Sequence, residues 1–195
     1  MTTNTVYGLL LAGGESRRMG SDKALLVRDG KSQLEHVAAL LGDVCERVFV
    51  STRQDQQDEP ERRRFEQIVD RYQDIGPVAG ILSAMDEYPH VDWLVVACDL
   101  PNVDLQTLKF LLEHRSPNQP FTAFRSSHDD LPEPLCAVYR SGSAAQIRRF
   151  VDDSVVCPRK ILIRSDTLLL EQPNPAALDN VNTPDDLETS VLEIT

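Results

Sequence analysis

Apolar residues along this chain fall into short, nearly continuous runs. Between the runs they recur at every third or fourth position. The first run, Val6–Leu11, is followed closely by Gly13-Gly14. A strand covered on both faces reads this way, since neither face needs polar residues. Residues 32–42 read as a helix. Leu34, Val37, Ala38 and Leu41 line one face, and Ser32 and Glu35 have capping-box spacing. Residues 47–51 read as a second strand and 67–70 as a short third. The highly polar stretch 54–64 between them reads as an exposed helix or loop. After the loop at Gly76-Pro77, the positions Val78, Ile81, Leu82 and Met85 predict an amphipathic helix. Residues 92–98, with Trp93-Leu94-Val95-Val96-Ala97, predict another buried strand. Asp104 caps a helix that buries Leu105, Leu108, Leu111 and Leu112. Residues 121–124 and 135–139 read as strands, 144–151 as a helix and 161–163 as a strand. Thr183-Pro184-Asp185-Asp186 reads as the start of a final helix.

Strands alternate with helices through most of the chain. That order predicts a three-layer α/β fold with a mainly parallel central sheet. Its 195 residues are expected to form a single domain with a proper core. Ligands of such sheets bind beyond the carboxyl ends of the strands. The residues that follow the runs therefore matter most: Ala12-Gly13-Gly14, Ser51, Asp70 and Asp99.

The net charge of −11 argues against nonspecific binding to nucleic acid or an anionic membrane, both of which want a basic face. It leaves room for one small phosphorylated ligand held by a local basic site. Cys45, Cys98, Cys136 and Cys157 form no CxxC pair, so they are expected to be free buried thiols in a reducing compartment. The first apolar run is too short to span a membrane and no basic residues precede it, so a cytoplasmic location is expected.

The densest chemistry lies in Leu11-Ala12-Gly13-Gly14-Glu15-Ser16-Arg17-Arg18-Met19-Gly20-Ser21-Asp22-Lys23. Three glycines let backbone N–H groups approach a phosphate. Arg17, Arg18 and Lys23 would neutralise a triphosphate and the charge growing on a leaving pyrophosphate. The loop is neither a Walker A motif nor GxGxxG, and a glycine-rich surface turn with solvated arginines would have the same composition. Asp99, in Cys98-Asp99-Leu100-Pro101, is an acid at the end of a buried strand. It is placed to hold Mg²⁺ with phosphate oxygens and water, or simply to cap a turn. Gly76-Pro77-Val78-Ala79-Gly80 offers two glycines for close approach, either of a nucleobase edge to the backbone or of a helix to its neighbour. Asn180 and Asn182 can bind a polar ligand or organise the last helix start.

Taken in order, these segments resemble the MobA-type molybdenum cofactor guanylyltransferases, over roughly residues 6–187. The resemblance rests on the opening L-A-G-G-x-S-x-R-M-G-x-D-K pattern, then G-P-x-A-G, C-D-x-P and N-x-N-T-P. It implies a Rossmann-like nucleotidyltransferase fold. It also implies that the terminal phosphate of molybdopterin attacks the α-phosphorus of MgGTP and pyrophosphate leaves. Leu11, Ala12, Gly13 and Gly14 would meet the nucleotide along the backbone. Arg18 and Lys23 would bind its phosphates, and Asp99 would bind Mg²⁺. Asp70, Gly76, Pro77 and Gly80 would complete the nucleotide site, although Asp70 stands one residue nearer to Gly76 than the family pattern has it. Ser51 replaces the asparagine that some members carry, and Asn180 and Asn182 would lie toward the pterin. Transient contacts with cofactor-synthesis proteins or molybdoenzymes would follow. A cytidylyltransferase on the same cofactor, a sugar-phosphate nucleotidyltransferase and a silent nucleotide-binding partner are the rival readings. Gly13 and the intact G-P-V-A-G segment favour guanine over cytosine, and Arg18, Lys23 and Asp99 together speak against a silent partner.

Overall fold

The computed structural model describes residues 4–14, 22–28 and 30–180. The chain runs through β1 (Val6–Leu11), a short hairpin of β2 (Val27–Arg28) and β3 (Lys31–Ser32), α1 (Gln33–Gly42), β4 (Arg47–Thr52), β5 (Glu66–Val69) and α2 (Pro77–Glu87). It continues through β6 (Asp92–Ala97), α3 (Leu105–Glu113), β7 (Phe121–Arg125), β8 (Pro132–Tyr139), α4 (Ala144–Asp152), α5 (Pro158–Ile163) and β9 (Thr167–Leu170). Among the described residues no helix is long and apolar enough to cross a membrane.

Seven strands make one mixed sheet in the order β5-β4-β1-β6-β8-β7-β9. β5, β4, β1 and β6 are mutually parallel. β8 runs against both β6 and β7, and β9 is parallel to β7. Strand order reverses beside β1, which sits between β4 and β6, and in open α/β sheets ligands bind at the carboxyl ends beside such a reversal.

The alternation of side chains explains the three layers. Leu10, Val50, Leu94, Val96 and Val138 point to the face covered by α1 and α3, where they meet Leu34, Val37, Leu41, Leu108 and Leu111. Leu9, Phe49, Trp93, Val95 and Tyr139 point to the other face, against Val78, Ile81, Leu82, Ile147 and Ile161. A strand buried on both faces has no polar face to display, which is why β6 reads as an unbroken apolar run.

The helix starts follow their sequence signals. The Glu35 amide donates to the Ser32 hydroxyl (3.1 Å) and the Ser32 amide to the Glu35 carboxylate (3.2 Å), closing the capping box. The Thr107 amide donates to Asp104 at 2.7 Å. Caps of this kind contribute about 1 kcal/mol each.

Four expectations need correction. Residues 161–163 are helical, not extended: Pro158 starts α5 at its first position, and the strand follows at β9. β8 begins at Pro132, three residues early, and a register shift between Ala123 and Phe124 lets its start pair with the end of β7. The stretch 54–64 holds two single-turn 3₁₀ segments, and within it Arg62 is completely buried. Cys136 is buried and Cys45 and Cys98 partly so, but Cys157 is exposed. The helix start expected at Thr183 lies outside the described residues.

Candidate active site

β1, β4, β5 and β6 all end at the same edge of the sheet. Their pairing is prolonged there by backbone hydrogen bonds from Ala12 to Ser51 (3.3 Å), Cys98 to Leu11 (3.2 Å) and Asp70 to Thr52 (2.9 Å). Ala12-Gly13, Ser51, Asp70 and Asp99 are thereby brought to one rim. Leu11 and Ala12 are buried, Gly13 is half-buried and Gly14 is exposed.

Lys23 opens a 3₁₀ turn capped by Asp22, whose Oδ1 accepts from the Ala24 amide at 3.1 Å. The turn brings the Lys23 Nζ to 3.8 Å from Asp99 Oδ2. The other Asp99 oxygen, Oδ1, is buried and has no hydrogen-bond partner among the described residues. Burial raises the Asp99 carboxyl above the usual carboxylate range. Lys23 opposes that shift, and the nearby Glu133 adds to it. An unpartnered carboxylate oxygen beside a lysine is a fit donor for Mg²⁺, which takes one or two carboxylates and completes its shell with phosphate oxygens and water. Among the described residues no group of three or more His, Cys, Asp or Glu could form an all-protein cage. A single buried, unpartnered carboxylate oxygen suits a metal that takes its remaining ligands from phosphate and water.

Ser51 is buried and donates its hydroxyl to Asp70 Oδ1 at 2.8 Å. Burial raises the Asp70 carboxyl, against the opposing effects of this hydrogen bond and of Arg53. Gly76, at φ +58°, turns the chain into α2, so Gly76 and Pro77 lie exposed at the helix start. Gly80 lies one turn further, buried. A Cβ there would fall 2.2 Å from Ser51 Oγ and 3.0 Å from Leu11 Cδ2, so the space beside Gly80 is filled by the sheet.

Asn180 is exposed at the end of the described chain, just after the buried anchors Ala177 and Leu178. Its neighbour Asp179 pairs with His128 at 3.0 Å, which fastens this segment to the β7–β8 connection on the other side of β6. Arg18 and Asn182 lie outside the described residues.

Three contributors were not singled out from the sequence. Arg62 donates to the Ala12 carbonyl at 2.8 Å and to Asp22 Oδ2 at 2.7 Å, with Glu59 at 3.3 Å. Arg53 donates to the Gly13 carbonyl at 2.5 Å. Glu133, paired with Arg159 at 2.9 Å, adds negative charge near Asp99. A buried guanidinium is tolerable only when paired. The run Arg62-Arg63-Arg64 in so acidic a chain is the signal that could have drawn attention to Arg62, but nothing in it sets Arg62 apart from its two exposed neighbours.

Residues 8–168 match the description of a MobA-like NTP transferase domain. The molybdenum cofactor biosynthesis bifunctional protein of Synechocystis sp. is 34% identical over 181 residues. These cover 93% of this chain and 52% of that protein, so the chain spans about half of that relative's length. The probable molybdenum cofactor guanylyltransferase of Mycobacterium ulcerans is 33% identical over 192 residues, covering 96% of this chain and 94% of its own. Among solved structures, molybdopterin-guanine dinucleotide biosynthesis protein A of Archaeoglobus fulgidus matches with a TM-score of 0.77 at 25% identity, covering 94% of this chain and 95% of the other.

Proposed function

Because the chain belongs to the MobA-like NTP transferase family, we propose that it transfers GMP from MgGTP to the terminal phosphate of molybdopterin, as a single cytoplasmic domain. The observation that carries this reading is the Lys23–Asp99 pair at the carboxyl edge of the sheet, with one Asp99 oxygen unpartnered among the described residues. The names of the relatives from Mycobacterium ulcerans and Archaeoglobus fulgidus support the choice of guanine and of the pterin acceptor.

The chemistry suits these residues. An oxygen of the acceptor phosphate forms a bond to the α-phosphorus of GTP while the bond to the β-phosphate bridge oxygen breaks, and pyrophosphate leaves. The nucleophile is already an anion, so no strong base is required. In-line positioning and neutralisation of charge carry the rate. Gly13 and Gly14 would supply amide donors near the phosphates, Lys23 would supply a cation, and Asp99 would hold Mg²⁺. The metal, when bound, withdraws charge from the phosphate oxygens. Arg18 would bind phosphate as well. Ser51, Asp70, Gly76 and Pro77 would face the nucleoside, with Gly80 seating α2 behind them. Asn180 and Asn182 would serve the pterin side, where brief contacts with cofactor-synthesis proteins or molybdoenzymes would deliver and collect the cofactor.

The test is transfer of label from each α-labelled nucleoside triphosphate to molybdopterin, with and without Mg²⁺. Product from GTP alone, lost without the metal, is the expected result. Transfer from CTP would replace the base assignment. No transfer from any triphosphate to a competent acceptor would overturn the reading.

A further inference from the structure

Arg62 is the most deeply buried charge beside this edge of the sheet, fully enclosed 40 residues beyond Asp22 and 50 beyond Ala12. Its Nη2 donates both to the Ala12 carbonyl and to Asp22 Oδ2. Ala12 ends the chain's entry into the glycine loop, and Asp22 begins its exit toward Lys23. One guanidinium therefore ties the two sides together.

Peptide geometry gives the tie a consequence. In a trans peptide, the carbonyl of one residue and the N–H of the next point in opposite directions, and no cis bond occurs among the described residues. Arg62, by gripping the Ala12 carbonyl, fixes the direction of the Gly13 N–H. Arg53, on the Gly13 carbonyl, does the same for the Gly14 N–H. Each cation also polarises the peptide it grips, making the N–H beyond it a better donor to an anion. Among the described residues neither amide donates to another backbone group. The other end of the tie acts on Lys23. Asp22 uses one carboxylate oxygen on Arg62 and the other on the Ala24 amide, and so fixes the turn that points Lys23 at Asp99.

We propose that Arg62 is a positioning residue of the nucleotide site, which clamps Ala12 and Asp22 so that the Gly13 amide and the Lys23 ammonium face the triphosphate together. This rests on the functional reading above. Arg62 touches neither substrate nor reacting atoms. Its effect passes through the backbone of Ala12 and the carboxylate of Asp22.

The experiment compares wild type, Arg62→Lys, Arg62→Met and Asp22→Asn, with Leu41→Ala as a control that weakens the core beside Gly8, away from the carboxyl ends of the strands. For each, the urea midpoint and the KM and kcat for MgGTP and for molybdopterin are measured. The clamp predicts that Arg62→Lys, which keeps the charge but loses the two-directional fork, raises the KM for MgGTP and lowers kcat by at least tenfold each. The KM for molybdopterin should stay within twofold. Asp22→Asn should move the same constants in the same direction. Leu41→Ala should lower the urea midpoint while leaving both KM values unchanged. If Arg62→Met fails to fold, Arg62→Lys and Asp22→Asn carry the test. Constants within twofold of wild type in these two variants would overturn the clamp alone, as would losses matched by Leu41→Ala. A wild type that binds no triphosphate would overturn the functional reading and the clamp with it.

Discussion

Gly80 and Ser51 compete for one space: the Cβ that Gly80 lacks would lie 2.2 Å from the Ser51 hydroxyl oxygen. That hydroxyl donates to Asp70. The seat of α2 on the sheet and the orientation of a candidate nucleoside-contacting acid thus depend on the same atom. Gly80→Ala gains up to about 1 kcal/mol of helix propensity and incurs about 1–3 kcal/mol from overpacking a buried contact. The expected net loss is about 1–2 kcal/mol, read as a lower urea midpoint at unchanged slope. Adding Ser51→Ala should restore part of the loss but not all, since the Ser51 Cβ is itself only 3.0 Å away. Equal midpoints for wild type and Gly80→Ala would refute the close-packing argument.

Asp99 is raised above its usual range by burial, even with Lys23 beside it. The fold therefore holds this carboxylate at a cost to its own stability. Asp99→Asn removes the charge and keeps the shape. The variant should be at least as resistant to urea as wild type. Its transfer rate should fall by about 10²–10³, the size of losing one charge-stabilising group. Activity near the wild-type level would exclude Asp99 as the metal carboxylate. A sharp loss of stability would show that the Lys23 pair is structural.

Thiol reactivity should separate the cysteines. Burial pushes Cys136, Cys98 and Cys45 up to about 12, so at pH 8 they are almost wholly protonated. Cys157 is exposed. A thiol reagent at pH 8 should label Cys157 rapidly in the native protein and all four cysteines after unfolding. Peptide mapping by mass spectrometry checks the order, and early labelling of Cys136 would contradict its burial.

What the sequence made legible follows from the range of the forces involved. β6 and α2 are readable because burial on both faces, or along one stripe, leaves a local period. The rim of Ala12, Asp70 and Asp99 is readable because each follows such a run. Residues 161–163 are not, because three apolar residues suit one turn of helix as well as a strand, and the deciding Pro158 lies outside the run. β9 is short and only half-buried, so it shows weak alternation. Arg62 is the most instructive miss. Its burial is made by Ala12 and Asp22, which no local pattern connects to it, and its neighbours Arg63 and Arg64 are exposed.

Two acids set the expected pH dependence. Asp70 and Asp99 both have folded pKa values raised chiefly by burial, above an unfolded value of about 3.9. In that window the folded state binds more protons than the unfolded state, so stability falls as pH rises. Their contribution is fully present below about pH 3.9 and is lost as pH climbs through the raised folded values. Activity runs the other way, because Asp99 must be ionised to hold Mg²⁺. The acid limb of kcat/KM, which reports the free enzyme, should therefore lie above the ordinary carboxylate range. The limb of kcat should lie lower, since bound metal favours the carboxylate. Glu133 adds to the rise at Asp99, so Glu133→Gln should shift the kcat/KM limb to lower pH. A limb at or below about pH 3.9 would show that Asp99 does not govern the rate, and one unmoved by Glu133→Gln would show that Glu133 does not add to the rise.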